Sequence, residues 1–277
     1  MFLLALLHPV ADVGRGFTVH ASTAIGIAAL GALYTWRARR AEGAGPSAGQ
    51  RAAFFAALAI LFGTLNGPLH DLSDTYLFTA HMVQHLILTL VVPPMLIAGT
   101  PGWMLRPLLR SRAARALAER ALRPGSCFVI FNVVLAAWHL PPLYNLALAQ
   151  HPVHIVQHLL FIAASVVMWW PLLSPLPELP RLSYPGQMLY CFLMTIPMSV
   201  VAIYITMADR LLYPAYALAP RVWGMTPMDD QHYGGLVMWI PGGLFFYGVM
   251  SVVFAKWASR GGADGADGVE AAQVASI

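Results

Sequence analysis

Four histidines fall into two pairs of the form His-x-x-x-His: His81 with His85, and His154 with His158. On an α-helix, residues four apart share a face, with their Cβ atoms about 5–6 Å apart. Two imidazoles so placed can chelate one metal ion, and imidazole suits copper, zinc, iron and nickel. Two such helices packed side by side could offer four nitrogens to one site. The flanking residues repeat as well: His81-Met82-Val83-Gln84-His85-Leu86 recurs as His154-Ile155-Val156-Gln157-His158-Leu159. Further histidines stand nearby in the expected fold. His70 closes one apolar run, His139 ends another, and His232 precedes the last.

The elements that position these residues follow from composition. The chain has 277 residues, is 58% hydrophobic and only 10% charged, against roughly 25% charged for a soluble domain. Its apolar residues come in blocks of about 20, the length that spans a bilayer core. Hydropathy predicts an all-α integral membrane protein, a bundle of seven transmembrane helices. The spans run approximately over residues 17–36, 52–69, 76–98, 126–140, 154–172, 186–207 and 234–257. The fourth is short and ends at Pro141-Pro142, where proline breaks or kinks a helix. Spans two and three resemble spans four and five in motif order and orientation, as expected of a duplicated helical hairpin related by an axis along the membrane normal.

Charge sets the orientation. Arg37, Arg39, Arg40 and Arg51 follow span one; Arg106, Arg110, Arg112, Arg115, Arg120 and Arg123 follow span three. Arg181, Lys256 and Arg260 fall on the same side, and none of the ten histidines does. The N-terminus is therefore expected outside and the C-terminus in the cytoplasm. Residues 1–260 read as one membrane domain, and residues 261–277, rich in Gly, Ala and Asp, as a disordered cytoplasmic tail. The apolar N-terminal residues 1–7 lack a basic region and a cleavage site, so a cleaved signal peptide is not expected. Cys127 and Cys191 lie apart in apolar runs and read as packing residues. No basic stripe on a water-facing fold is visible, which excludes nucleic acid as a partner.

An ionisable residue inside a span is a functional-site candidate by default, and the paired histidines meet that description. His8, His20 and His151, single and interfacial, are not expected to be ligands. The segment before span seven adds Met225, Met228 and His232, a possible capture point for a soft ion above the site, with Met82 and Met207 near it; thioethers favour Cu(I). Asp229 or Asp230 could orient a histidine or cap span seven. Three rival uses of the histidines remain: a bis-histidine haem carrying electrons, a di-iron oxygenase, and a copper or proton transporter. The oxygenase would need more carboxylates inside the spans, and the transporter polar residues continuing inward.

Several of these motifs occur together in one family. His81-Met82-Val83-Gln84-His85 followed by Pro93-Pro94 and Gly99-Thr100-Pro101 resembles the polytopic CtaG family of cytochrome c oxidase assembly factors. So do Trp138-His139, the His154–His158 segment ending in Trp169-Trp170-Pro171, and Asp230-Gln231-His232-Tyr233-Gly234-Gly235 followed by Met238-Trp239. The likeness covers most of the chain. One departure is Gln157, where many members carry an acidic residue. The resemblance implies a multi-pass protein of the bacterial inner membrane that helps mature a haem–copper oxidase. It would take copper from an upstream periplasmic donor and supply it to an oxidase subunit. No covalent chemistry is implied, and no enzyme is expected.

Overall fold

The computed structural model describes residues 17–274, with side chains described to residue 260. The N-terminal residues 1–7 and His8 lie outside the described residues. All regular structure in the described part is helical. The principal helices are α1 (Ala21–Arg39), α2 (Ala48–Thr64), α3 (Pro68–Tyr76), α4 (Phe78–Gly99), α5 (Arg112–Ala121), α6 (Pro124–His139), α7 (Pro141–Ala149), α8 (His151–Leu173), α9 (Tyr184–Thr206) and α10 (Pro227–Val274).

Local sequence explains where these helices start and stop. Ser47 opens α2 with a capping box closed by Gln50, which satisfies two of the free amides at the helix start. Proline stands at the first turn of α3, α6, α7 and α8, where its missing N–H costs nothing. Gly67, at φ 71°, makes the turn between α2 and α3, a conformation that favours glycine.

Among the described residues, four helices are individually long and apolar enough to cross a membrane: α4, α8, α9 and residues Pro227–Arg260 of α10. Counting two bent pairs as one span each raises the number to six. The chain is therefore a multi-pass helical protein, with four to six such spans among the described residues against the seven expected. The difference falls on α1. It is 19 residues long but diluted by Ser22, Thr23, Gly26, Gly31 and Thr35. It nonetheless runs the length of the bundle: His20 at its start packs on His70, and Arg37 near its end donates to the Met104 carbonyl. The fourth expected span is α6, joined at 74° to α5. The Arg-rich α5 has no buried residue, and α6 alone is the apolar part. The last helix continues to Val274, through much of the segment expected to be a disordered tail.

The same order of elements occurs twice. A long helix (α2, α6) stops, a short proline-led helix follows (α3, α7), and a helix carrying His-x-x-x-His comes next (α4, α8). Two irregular turns of the π type sit in the first copy, at Leu72–Tyr76 and Ile87–Val91. Such turns often mark functional sites. The second begins two residues after His85. Pro93 cannot donate to the carbonyl of Thr89, and the indole N–H of Trp169 on α8 takes that place at 2.9 Å. Glycines let α10 approach closely. A Cβ at Gly235 would collide with the Thr206 hydroxyl, and one at Gly242 would lie 2.9 Å from the Met198 methyl.

A buried histidine centre

His81 and His85 stand on one face of α4, as their spacing requires, with Nε2 atoms 2.8 Å apart. Nitrogens on one metal ion lie on the order of 3 Å apart when each bond is about 2.0–2.1 Å. On α8, the rings of His154 and His158 are 4.3 Å apart between centroids. The two pairs face each other. His81 stacks on His154 at 5.6 Å, and His85 meets His158 edge-on at 5.9 Å. His70 of α3 lies 6.3 Å from His154, and His139 at the end of α6 lies 5.8 Å from His85. These six side chains are buried.

The four paired histidines do not form one square. Ligand atoms of His81, His85 and His158 all lie within 4.8 Å of one another, and so do those of Asp74, His81 and His154. Two adjacent ligand groups thus share His81. Asp74 was not legible as a ligand, because it precedes the apolar run of α4. The π turn of Leu72–Tyr76 carries it to the cluster, where its Oδ2 lies 3.3 Å from both His70 Nε2 and His154 Nδ1.

Hydrogen bonds fix which ring nitrogens remain free. Gln84 donates its amide to the Thr64 carbonyl at 2.8 Å and to His70 Nδ1 at 3.1 Å. Neutral His70 then carries its proton on Nε2, toward Asp74, and serves to orient that carboxylate. His154 gives its Nδ1 to Asp74 and keeps Nε2. The Ser73 carbonyl lies 3.4 Å from His81 Nδ1, which leaves His81 Nε2 as the basic nitrogen. Such outer contacts set the tautomer of a metal-binding imidazole. Tyr216 reinforces this one, donating to the Ser73 carbonyl at 2.8 Å while Tyr144 meets its hydroxyl at 2.9 Å.

The fit to a metal ion rests on what stays unpaired. Among the described residues, buried ring nitrogens without a hydrogen-bond partner are His85 Nδ1, His139 Nε2, His154 Nε2 and His158 Nε2. An unpaired buried polar atom costs about 1–3 kcal/mol. Such atoms concentrated in one cluster are what a site for an electron-poor ligand presents. Two small cavities touch the histidines, of about 30 Å³ beside His70, His154 and His158 and about 20 Å³ beside His85 and His139.

Other expected site residues lie elsewhere. His232 is half-buried on α10, with Nε2 3.3 Å from the Ala208 carbonyl, and no ring contact joins it to the cluster among the described residues. Met225 lies just before α10 and Met228 in its first turn, where its sulfur accepts a long contact from Gln231 at 4.0 Å. Met82 is fully buried and lines the same small cavity as His85. Met207 is exposed. The roof is built instead by Tyr213, which donates to the His139 carbonyl at 2.8 Å, and by Tyr216. His20, set aside as interfacial, packs edge-on against His70 at 4.5 Å. Asp229 pairs with Thr226 at the start of α10, as a cap does. Asp230 caps α4 instead.

The fold and site define a multi-pass helical membrane protein with a buried polyhistidine centre near one end of the bundle. Residues 32–260 match the model of the family described as cytochrome c oxidase caa3 assembly factor (Caa3_CtaG), and the chain belongs to that family. It is also similar to the uncharacterized protein Mb0105 of Mycobacterium bovis and the uncharacterized protein MT0111 of Mycobacterium tuberculosis. Each is 23% identical over 205 residues, which is 66% of this chain and 30% of the relative. The match thus spans about a third of the length of those relatives. No solved structure matches.

Proposed function

We propose that this protein is a cytochrome c oxidase assembly factor that binds copper at the His81, His85, His154 and His158 cluster and supplies it to the copper centre of a haem–copper oxidase. The observation that carries the reading is the set of buried, unpaired imidazole nitrogens within a chain of an oxidase assembly family. Copper is the cargo here, received from an upstream periplasmic donor and passed to an oxidase subunit within the bilayer. The histidine end faces outward in the bacterial inner membrane, with the arginine-rich loops on the cytoplasmic side. That direction suits an acceptor centre buried at a similar depth from the outer face.

Cavity size favours an ion over the haem alternative. Spaces of about 30 and 20 Å³ are far below the 300–1,000 Å³ of a pocket for an organic ligand. The test is metal analysis of chain purified without added metal, with absorption spectra recorded alongside. About one copper per chain is expected at this cluster, lost when His81, His85 and His158 are changed to Ala, together with oxidase lacking copper in cells that carry those variants. Unchanged copper in the variants, or a Soret band in the native chain, would overturn the proposal.

A further inference from the structure

Below the outer histidines, the smaller cavity is walled by a different set of donors. Its volume is about 20 Å³, and its lining includes His85, His139, Met82, Met198 and Met238. All three methionines are buried. They come from α4, α9 and α10, so three helices each bring one methionine to the wall of the same small space. Buried methionine alone is commonly packing material. The two imidazoles make this case different. The carbonyl of Leu135 accepts from His139 Nδ1 at 2.7 Å, so the lone pair of the neutral ring is on Nε2, which is buried and unpartnered. His85 turns Nε2 to His81, and its other nitrogen, Nδ1, is also buried without a partner. An apolar core would not be expected to leave two such nitrogens unsatisfied beside one void.

We propose that His85, His139, Met82, Met198 and Met238 form a second, inner metal site that takes monovalent copper. Thioethers and imidazoles are neutral donors, and thioethers select Cu(I). No acidic residue lines the cavity, so a singly charged ion is the least costly to bury there. The outer set differs in this respect, because Asp74 belongs to it. The volume exceeds the roughly 10–15 Å³ that holds one water and suits a single ion with side-chain ligands. Gly242 of α10 leaves room for Met198: an added Cβ would stand 3.0 Å from its sulfur. His85 belongs to both sets, and its neutral ring offers one lone pair at a time: an ion can pass between the sets as the ring changes tautomer, and His139 with the three methionines holds the inner ion while His85 serves the outer one.

The identity of the ion rests on the copper reading of the outer cluster, and the test separates the two. Purified chain is titrated with Cu(I) under reducing conditions and examined by X-ray absorption. The native protein is expected to bind two equivalents, one with sulfur neighbours. The triple variant Met82→Leu, Met198→Leu, Met238→Leu is expected to lose one equivalent and the sulfur signal while keeping nitrogen-bound copper. The pair His81→Ala, His158→Ala is expected to keep the sulfur-bound ion. Copper bound by nitrogen alone in the native protein, or two equivalents retained by the triple variant, overturns the inner site and leaves the outer one standing. No copper in any form overturns both.

Discussion

The carboxylate of Asp230 accepts the backbone N–H of Phe78 at 2.7 Å. Its other oxygen takes the N–H of Thr79 at 2.9 Å, and its own carbonyl accepts the Thr79 hydroxyl at 3.0 Å. A residue of the last helix thus caps the helix that carries His81 and His85. Helix starts leave free amides that must be satisfied, and here the partner is 152 residues away. The start of α10 is thereby tied to the position of the first histidine pair.

Asp230→Ala removes the acceptors of one buried and one half-buried amide. Each loss costs about 1–3 kcal/mol, so thermal unfolding in detergent is expected several degrees below the native chain. Asp230→Asn keeps one oxygen and should fall between the two. Copper affinity should weaken in the same order, because the cap sets the phase of α4. An Asp230→Ala chain as stable as the native protein would show that the cap is dispensable.

Asp74 makes a separate prediction. It faces both His70 and His154 at 3.3 Å, and its side chain is the acidic member of the second ligand group. Asp74→Asn preserves shape and removes the charge. Outer contacts of this kind are worth about 10–100-fold in metal affinity, and a loss of that size is expected in a copper competition titration, with helicity unchanged. Equal affinity in native and variant protein would exclude Asp74 from the site.

What the sequence disclosed and withheld divides along physical lines. The His-x-x-x-His pairs were legible because helical periodicity alone brings the members of each pair together. That His81 would stack on His154 was suggested only by the repeated motif. Asp74 was hidden because a π turn, not an α-helical spacing, carries it to the cluster. Tyr216 reaches His81 across 135 residues at 3.2 Å, a non-local contact with no signal in spacing. His232 was picked out because it precedes the last apolar run; the phase of α10 turns its Nε2 toward the Ala208 carbonyl. For Asp230 the sequence left open orienting a histidine or capping α10, and its carboxylate caps α4. In α1, scattered Ser, Thr and Gly make a helix that runs the bundle length without the apolar density of the other spans.

Trp169 offers a test of the irregular backbone below the site. Its indole supplies the hydrogen bond that Pro93 cannot give to the Thr89 carbonyl. Trp169→Phe keeps an aromatic ring against Phe246 and leaves that carbonyl without its donor. A destabilisation of about 1–3 kcal/mol is expected, read as a lower unfolding temperature. Copper stoichiometry should hold, since neither ligand group includes Trp169. Stability equal to the native protein would mean that the carbonyl finds another donor.

Gly99, at the far end of α4, separates bundle packing from metal binding. Here α2 and α4 approach backbone to backbone: a Cβ at Gly99 would lie 2.6 Å from the Phe54 amide nitrogen and 2.8 Å from its Cα. Backbone atoms cannot swing aside as a side-chain tip can, so the two helices must part. The Tyr34 hydroxyl, which donates to the Gly99 carbonyl at 3.0 Å, would be disturbed as well, along with the stack of Tyr34 on Phe54 at 4.0 Å. Overpacking of this kind costs about 1–3 kcal/mol. Gly99→Ala is therefore expected to unfold at lower temperature and to yield less protein in membranes. The folded fraction should bind copper as the native chain does, because His81 and His85 lie several turns away near the other end of α4. If Gly99→Ala instead abolished copper binding at unchanged stability, the two ends of α4 would be coupled more tightly than this packing accounts for.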